Sequence, residues 1–421
     1  MGAPRQSDTD VGTAAALRDR YAIVGIGETG YSRASGMTTR ALAVHAIRAA
    51  MNDAGFEPAD VDGLLSHAMG DSTSSHLVAG NLGLRLNFYA DTVGGGASVE
   101  ALIGMAIGVI EVGMCRTVAI YRAMNGYTQT RTGGTGQKGN AAVLGDDIHT
   151  RAQGWSSPAQ IFAPSFLRHM YEYGTRAEDV AMVRVAHSHH AARNPKALYP
   201  KPVTVEDVLA SRLIATPIRL LDCCVETDSG TCIIVTNARR ARDCRKPPVL
   251  VRAAAGRVCK PRSDMHYQAG DAARTAGAYA APRLWAAAGL DPADVSLTAA
   301  YDAFTFTSLL LLEDYGFCRK GEGGAYVASG AIRLGGARPN NTSGGLLCEG
   351  YANGMNLVIE NVRQLRDDAD DNCPIGPDGR RQHTYDHGPG GGCRQVRGAA
   401  VAANLAWGNP GMGSALVLVR G

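Results

Sequence analysis

The chain lacks the features that would tie it to a membrane, a nucleic acid or an oxidising compartment. No apolar run reaches the roughly 18 residues that a membrane-spanning helix needs. Residues Met1–Arg20 have neither a basic start nor an apolar centre, so no secretory leader is predicted. Blocks of like charge are missing too. The 42 Lys and Arg against 39 Asp and Glu leave a net charge of +3, and 19% charged residues is ordinary. Such a balance implies no nucleic-acid partner. There is no C-x-x-C pair, so no zinc ribbon is expected within this chain. The ten cysteines are scattered, and adjacent Cys223 and Cys224 cannot bridge each other. Reduced thiols in a cytoplasmic protein are expected.

What is abundant is glycine, 52 of 421 residues, together with Ala-rich helical stretches. That combination fits an α/β protein with many tight strand-to-helix turns. Tyr21–Gly27 reads as a short apolar strand. Thr39–Ala54 follows with Leu42, Ala43, Ala46, Ile47 and Ala50 at helical spacing, closed by Gly55 as a C-cap.

Three pairs of segments recur in the same order. Gly55-Phe-Glu-Pro-Ala-Asp-Val-Asp62 returns as Gly289-Leu-Asp-Pro-Ala-Asp-Val-Ser296. Gly95-Gly96 with Gly104-Met105 and Val109-Ile-Glu111 returns as Gly344-Gly345 with Gly354-Met355 and Val358-Ile-Glu360. Gly230–Thr236 resembles Gly413–Val419, a glycine followed by a buried strand. Unequal offsets indicate an old duplication with different insertions. The predicted body is therefore layered helix-sheet-helix-sheet-helix. Residues 1–20 read as a flexible tail, 21–248 as the first half and 249–421 as the second. Segment 123–219, rich in Gly, Gln, Thr, His and Pro, is expected to be a loop domain over the active site or a dimer interface. Segment 367–392 reads as a polar, exposed insertion.

Two glycine-rich turns carry the functional signal. Asn341-Thr-Ser-Gly-Gly-Leu-Leu-Cys-Glu-Gly-Tyr-Ala-Asn-Gly-Met355 resembles the loop-to-helix segment on which thiolases hold a catalytic histidine, with Tyr351 in its place. Asp91-Thr-Val-Gly-Gly-Gly-Ala-Ser-Val-Glu100 resembles the turn of their nucleophilic cysteine, but offers only Gly94, Gly95 and Gly96. Leu220–Asp228, Tyr301–Thr305, Gly316–Glu322 and Asn341–Asn356 extend the likeness over roughly 21–421. The chain thus resembles the lipid-transfer-protein (sterol-carrier-protein-X) branch of the thiolase superfamily, and within it the steroid side-chain-cleaving aldolases.

The resemblance implies a duplicated five-layer α-β-α-β-α fold with an inserted loop domain. It also implies retro-aldol cleavage of a β-hydroxyacyl-CoA, such as a steroid side-chain thioester, to a ketone and a shorter acyl-CoA such as propionyl-CoA. Tyr301 and Tyr351, fifty residues apart, take the acid/base roles that the aldolases give to two tyrosines. Ala303 and Ser343 depart from the histidines that those aldolases favour, so the pocket wall differs. Gly94, Gly95, Gly96, Gly344, Gly345, Asp302 and Cys348 complete the expected oxyanion and substrate pocket. Coenzyme A enters as part of the substrate, with no separate cofactor. A homodimer and a small OB-fold, zinc-ribbon partner subunit are implied as well. The alternatives are an acyltransferase with an atypical nucleophile and a non-catalytic lipid-transfer or scaffold subunit.

The residues themselves set conditions on this chemistry. Retro-aldol cleavage needs a base for the hydroxyl proton, a hole for the thioester enolate and an acid for the departing carbon. A tyrosine of ordinary pKa near 10 serves as base only if its phenolate is stabilised, for example by a helix N-terminus. Tyr351 leads into the run Met355–Leu365, and Tyr301 ends a strand, where sites of α/β sheets gather. Gly95, Tyr301 and Tyr351 are therefore expected to converge.

Other motifs carry less. Gly25-Ile-Gly-Glu-Thr-Gly30 matches a dinucleotide fingerprint, yet its helix begins several residues too late to meet a phosphate. His187, His189 and His190 have no ligand-type neighbours at suitable spacing and read as solvated or loop-packing. Cys373, His383, His387 and Cys393 match no known metal spacing, and no metal is expected. Arg319 or Lys320 could pair with the phosphates of coenzyme A.

Overall fold

The computed structural model describes residues 12–129, 152, 154, 157–260, 271–369, 393–408 and 411–421. Its strands are β1 Tyr21–Glu28, β2 Gly63–Ala68, β3 Phe88–Val93, β4 Thr117–Asn125, β5 Leu213–Ala215 and β6 Ile218–Arg219. They continue with β7 Asp228–Asn237, β8 Val249–Cys259, β9 Leu297–Ala300, β10 Val401–Gly408 and β11 Met412–Arg420. The main helices are α1 Thr39–Ala54, α2 Val99–Glu111, α3 Pro158–Tyr173, α4 Ala177–Ala191, α5 Gly277–Ala288, α6 Thr305–Asp314 and α7 Met355–Arg366.

Apart from the small β5–β6 hairpin, the strands form one mixed sheet in the order β3-β2-β4-β7-β1-β8-β11-β10-β9. The order is a mirror: β2-β4-β7-β1 on one side, β9-β10-β11-β8 on the other. In each quartet the outer pair is parallel and the remaining pairs antiparallel. β1 and β8 join the halves antiparallel at the centre. The duplication read from sequence is written into the strand pairing.

The linking turns repeat as well. α1 ends at Gly55 with φ 77°, and α5 ends at Gly289 with φ 62°, a left-handed C-cap that favours glycine. Each is followed by one 3-10 turn, Pro58–Asp60 or Pro292–Asp294, and then by β2 or β9. Asp60 and Asp294 accept the backbone N–H three residues earlier, at 2.9 and 2.8 Å. The second sequence pair needs correction. Gly104 lies inside α2, whereas Gly354, at φ 90°, immediately precedes α7.

Packing supplies the layers. α1 covers β1, β7 and β4 on one outside, and α5 covers β8, β11 and β10 on the other. α2 and α7 each touch strands of both halves and lie between them. The central core joins Leu102, Ile103, Val358 and Ile359 to Ile120, Ile233 and Leu416. The predicted face of α1, from Leu42 to Ala50, is fully buried. Gly25, Gly27 and Gly230 let it approach: a Cβ there would stand 2.3, 2.1 and 2.3 Å from the carbonyls of Ala50, Ala46 and Leu42. The Gly-x-Gly run thus serves helix-to-sheet contact.

Two boundaries shift. β4 runs to Asn125, so the insertion begins after it. Its described part is largely helical (α3, α4 and Val205–Ala210), with the β5–β6 hairpin. Residues 12–20 are not a free tail: they hold a short helix, Arg18 donates to the carbonyl of Ala286 at 2.8 Å, and Asp19 pairs with Arg252 at 2.7 Å. Most of segment 367–392 lies outside the described residues. Among the described residues eight cysteines are free, but Cys393 is disulfide-bonded, against the expectation of uniformly reduced thiols.

Candidate active site

Tyr301 follows β9 directly, its N–H bonded to Leu405 O of β10 at 2.8 Å and its carbonyl to the Thr307 hydroxyl at 2.8 Å. Tyr351 is anchored at both backbone ends. Its N–H donates to Thr227 Oγ1, and its carbonyl accepts from the hydroxyls of Thr227 and Ser229, at 3.0, 3.0 and 3.2 Å. With both main chains fixed, the two phenols meet. Their oxygens are 2.8 Å apart, and the residues are only 5% and 7% exposed. Tyr301 is thus no core tyrosine satisfied by backbone.

The glycine turn closes the other side. A Cβ at Gly96 would lie 2.4 Å from Tyr301 Cζ and 2.7 Å from the Trp407 carbonyl. Gly354 backs the same ring, with its Cβ position 3.2 Å from Cδ2. Gly95 is 3.9 Å from the Asn353 amide by the same measure, and Gly94 faces Arg257. Gly94 N–H is committed to Ala68 O at 3.1 Å. Gly95 and Gly96 lie just ahead of α2, and the missing Gly96 side chain leaves room for the Tyr301 ring. The two phenols are thus brought together, with Gly96 against Tyr301 and Gly95 near Asn353.

The remaining pocket expectations do not hold. Asp302 is fully buried, and its carboxylate is committed to partners other than the phenols. It accepts from Leu346 and Leu347 N–H at 2.9 and 3.4 Å, capping the short helix Gly345–Cys348, and bonds His187 Nδ1 at 2.8 Å. Gly344 and Gly345 are pressed against neighbours: a Cβ would meet Ala191 at 2.6 Å and the Asp302 carboxylate at 2.2 Å. Both adopt positive φ, 103° and 64°. Cys348 is fully buried beside Arg184 and Asp302. Lys320 is held by Glu313 and Asp314, each at 3.0 Å. Among the described residues no group of three His, Cys, Asp or Glu stands together to hold a metal. Cys373, His383 and His387 lie outside them.

The histidines of α4 serve packing. His187 spans Asp302 and Asn340, and His190 spans the carbonyl of Asn341 and the N–H of Leu334 at 3.2 and 3.0 Å. Both clamp α4 onto the turn that carries Tyr351.

Electrostatics set the resting state. Burial pushes both hydroxyls well above the ordinary tyrosine value, so both are protonated near neutrality. Burial likewise raises the thiols of Cys224 and Cys348, the latter to about 11. A thiolate nucleophile is disfavoured at either place.

Comparison with known proteins places this geometry. The Thiolase C-terminal domain-like family matches residues 260–393. The 17-hydroxy-3-oxo-4-pregnene-20-carboxyl-CoA lyase of Mycobacterium tuberculosis is 41% identical over 83% of this chain and 92% of its own. The steroid side-chain-cleaving aldolase of Thermomonospora curvata is 38% identical over 82% and 90%. The chain belongs to the thiolase superfamily. Among solved structures, the Ltp2-ChsH2(DUF35) aldolase superposes with a TM-score of 0.81 at 34% identity, covering 96% of this chain and 98% of that one. Human mitochondrial 3-ketoacyl-CoA thiolase in complex with CoA shares the fold alone, at TM-score 0.66 and 14% identity over 96% and 98%.

Within this thiolase framework, sequence reasoning missed the residues behind the dyad. Asn353 Nδ2 donates to Tyr351 Oη at 2.9 Å. Arg122 Nε donates to Asn353 Oδ1 at 2.7 Å, and Arg122 pairs with Asp71 at 2.6 Å. Arg122 sits in the apolar-looking strand β4 and is 1% exposed. A charged residue inside a strand that is buried throughout was the available signal. Cys224, read as a small packing residue, is the thiol whose charge would reach both phenols.

Proposed function

We propose that this enzyme is a carbon–carbon lyase that cleaves a β-hydroxyacyl-CoA by retro-aldol chemistry between Tyr301 and Tyr351. The observation that carries this reading is the pair of phenols bonded at 2.8 Å beside a glycine turn with no nucleophile. The β-hydroxyl proton leaves to the dyad, and the oxygen's electrons form the ketone. The C–C bond breaks, and its electron pair passes to the α-carbon as a thioester enolate. The N–H groups of Gly95 and Gly96 hold the enolate oxygen. A proton from the dyad then reaches the α-carbon, giving a shorter acyl-CoA. Coenzyme A is part of the substrate.

The relatives named above act on steroid side chains, which supports a tertiary, C-17-type hydroxyl and propionyl-CoA as product. The similar two-part aldolase assembly supports a small OB-fold, zinc-ribbon partner subunit. Strand β3 is a sheet edge with Tyr89 52% and Val93 81% exposed, which fits a homodimer through that edge. Among the described residues no helix is long and apolar enough to cross a membrane, in keeping with a cytoplasmic setting.

The test is product analysis with 17-hydroxy-3-oxo-4-pregnene-20-carboxyl-CoA, with and without the partner subunit. Release of a 17-ketone and propionyl-CoA is expected. Thiolysis of a β-ketoacyl-CoA instead, with no cleavage of the hydroxy thioester, would establish the acyltransferase alternative.

A further inference from the structure

The dyad is the start of a longer line of bonds. From Tyr301 it runs to Tyr351 (2.8 Å), Asn353 (2.9 Å), Arg122 (2.7 Å) and Asp71 (2.6 Å). Nothing in the lyase reading requires the last three residues. Their chemistry nevertheless fixes one thing. Arg122 Nε–H only donates, so the Asn353 atom facing it must be the carbonyl oxygen. The amide N–H₂ is thereby turned toward Tyr351 Oη. Arg122 is itself locked, since another of its N–H groups reaches the Ala123 carbonyl at 3.0 Å and Asp71 holds a third. Asn353 keeps a left-handed φ of 51°, and Gly354 after it 90°. Such strain at a buried non-glycine residue persists where the surroundings over-determine it.

We propose that Arg122, acting through Asn353, makes the two tyrosines unequal: Tyr301 receives the substrate's hydroxyl proton and Tyr351 delivers a proton to the α-carbon. A phenol oxygen that already accepts a bond from a buried amide, with a guanidinium behind it, becomes a better proton donor and a poorer acceptor. The proton balance closes without a standing phenolate. The substrate O–H proton moves to Tyr301 Oη, the Tyr301 proton moves across the 2.8 Å bond to Tyr351 Oη, and the Tyr351 proton moves to the α-carbon. Both tyrosines end as they began. This suits two hydroxyls that burial keeps protonated near neutrality. Asn353 and Arg122 are positioning residues; they act through Tyr351. The inference rests on the lyase reading.

The charged and titratable groups around the relay are few. Tyr351 is faced by Tyr301, Cys224, Arg122 and Asp71, and Tyr301 by Tyr351 and Cys224; the Asn353 amide bears on Tyr301 as well, whereas the Arg122 charge bears on Tyr351. Arg122 also lies near His67, which burial keeps neutral. Asn353→Asp adds one carboxyl to this set. Ionised, it accepts where the amide donated, and it draws the Tyr351 proton away from the substrate. Protonated, its O–H restores the donor while its carbonyl still accepts from Arg122.

The assay uses 17-hydroxy-3-oxo-4-pregnene-20-carboxyl-CoA with the assembled enzyme. Asn353→Asp should lose roughly 100-fold in kcat at about pH 8 and regain most of it toward about pH 5, with KM little changed. Wild type should show no such acid-side gain. A second measurement fixes direction: exchange of the α-hydrogens of propionyl-CoA with deuterated water. Tyr351→Phe should abolish exchange, and Tyr301→Phe should retain part of it. A variant pH profile parallel to wild type, or the reverse pattern of exchange, would overturn the proposal while leaving the lyase reading intact. If wild type neither cleaves the thioester nor exchanges propionyl-CoA, the lyase reading falls and this inference falls with it.

Discussion

The two halves of the molecule share a framework and differ in what they place at one equivalent spot. Ahead of α2, the first half has Gly94, Gly95 and Gly96, a turn without side chains. Ahead of α7, the second half has Tyr351, Asn353 and Gly354, a turn crowded with polar groups. The emptiness of the first turn makes room for a tyrosine that the second half supplies after β9. A Cβ at Gly96 would stand 2.4 Å from Tyr301 Cζ, so a side chain at that position and this tyrosine ring exclude each other. The two halves thus keep the same strand order, while both members of the phenol pair come from the second half.

The comparison breaks hardest at Tyr351. Tyr351→Phe keeps the ring and removes the hydroxyl, so folding should change little. Turnover of the hydroxyacyl thioester should fall by roughly 10²–10⁴-fold, the scale of a general acid/base group, while substrate affinity survives. Steady-state kinetics beside direct binding checks both halves of that statement.

Refilling the empty turn comes next. Gly96→Cys restores a thiolase-type side chain but drives it into Tyr301 and the Trp407 carbonyl. Overpacking of this kind costs about 1–3 kcal/mol, and displacing Tyr301 should remove most activity. Pairing it with Tyr301→Asn removes the ring clash and leaves the contact with the Trp407 carbonyl, so the double variant should recover part of the stability by thermal melting but not lyase activity. Equal stability of the single variant and wild type would show that the two turns are independent.

Much of this architecture was legible in the chain. The Gly55 and Gly289 segments marked equivalent turns because a left-handed C-cap followed by Pro-Ala-Asp is a local, sequence-encoded structure. Tyr301 and Tyr351 stood out because they replaced residues of known role. The errors share one physical origin. Gly344, Gly345 and Cys348 lie beside Tyr351 in sequence and Asp302 beside Tyr301, but the short helix Gly345–Cys348 and the Asp302 carboxylate that caps it pack against α4. Whether a turn residue faces a cavity or a packed helix is a tertiary matter. Asn353, Arg122 and Asp71 were hidden for the same reason, since they come from three separate segments and meet only in the fold.

A subtler contrast lies in two buried carboxyls, Glu100 on α2 and Glu349 ahead of α7. Burial raises both to about 7, aided at Glu349 by the charges of Glu28 and Glu360. Both are bonded by polar groups of the second half: Glu100 accepts from Ser414 at 2.8 Å, Glu349 from Ser343 at 2.7 Å and Asn356 at 2.9 Å. A carboxyl whose value is raised by folding stabilises fully below its unfolded value, near 4.5, and loses that contribution as pH rises through about 7. Glu100→Gln removes one such group. Its stability by denaturant titration should therefore decline less between about pH 5 and 8 than wild type, by on the order of a few kcal/mol. Parallel pH curves would mean that Glu100 is ionised and satisfied in the fold.

The smallest effect is expected at Cys348, and it sharpens the comparison by showing what the second turn does not use. The thiol lies three residues from Tyr351 in sequence but is fully buried beside Asp302 and Arg184, and burial raises it to about 11. A thiol in that state is neither ionised nor open to a substrate carbonyl, the two conditions for nucleophilic catalysis. Cys348→Ala removes one sulfur from a packed site, which should cost about 1 kcal/mol of stability. Turnover per folded enzyme should stay within about 2-fold of wild type, because the backbone of Tyr351 is held by Thr227 and Ser229 rather than by this side chain. An inactive Cys348→Ala beside an active Tyr351→Phe would reassign the chemistry from the phenol pair to the thiol, and with it the enzyme from lyase to acyltransferase.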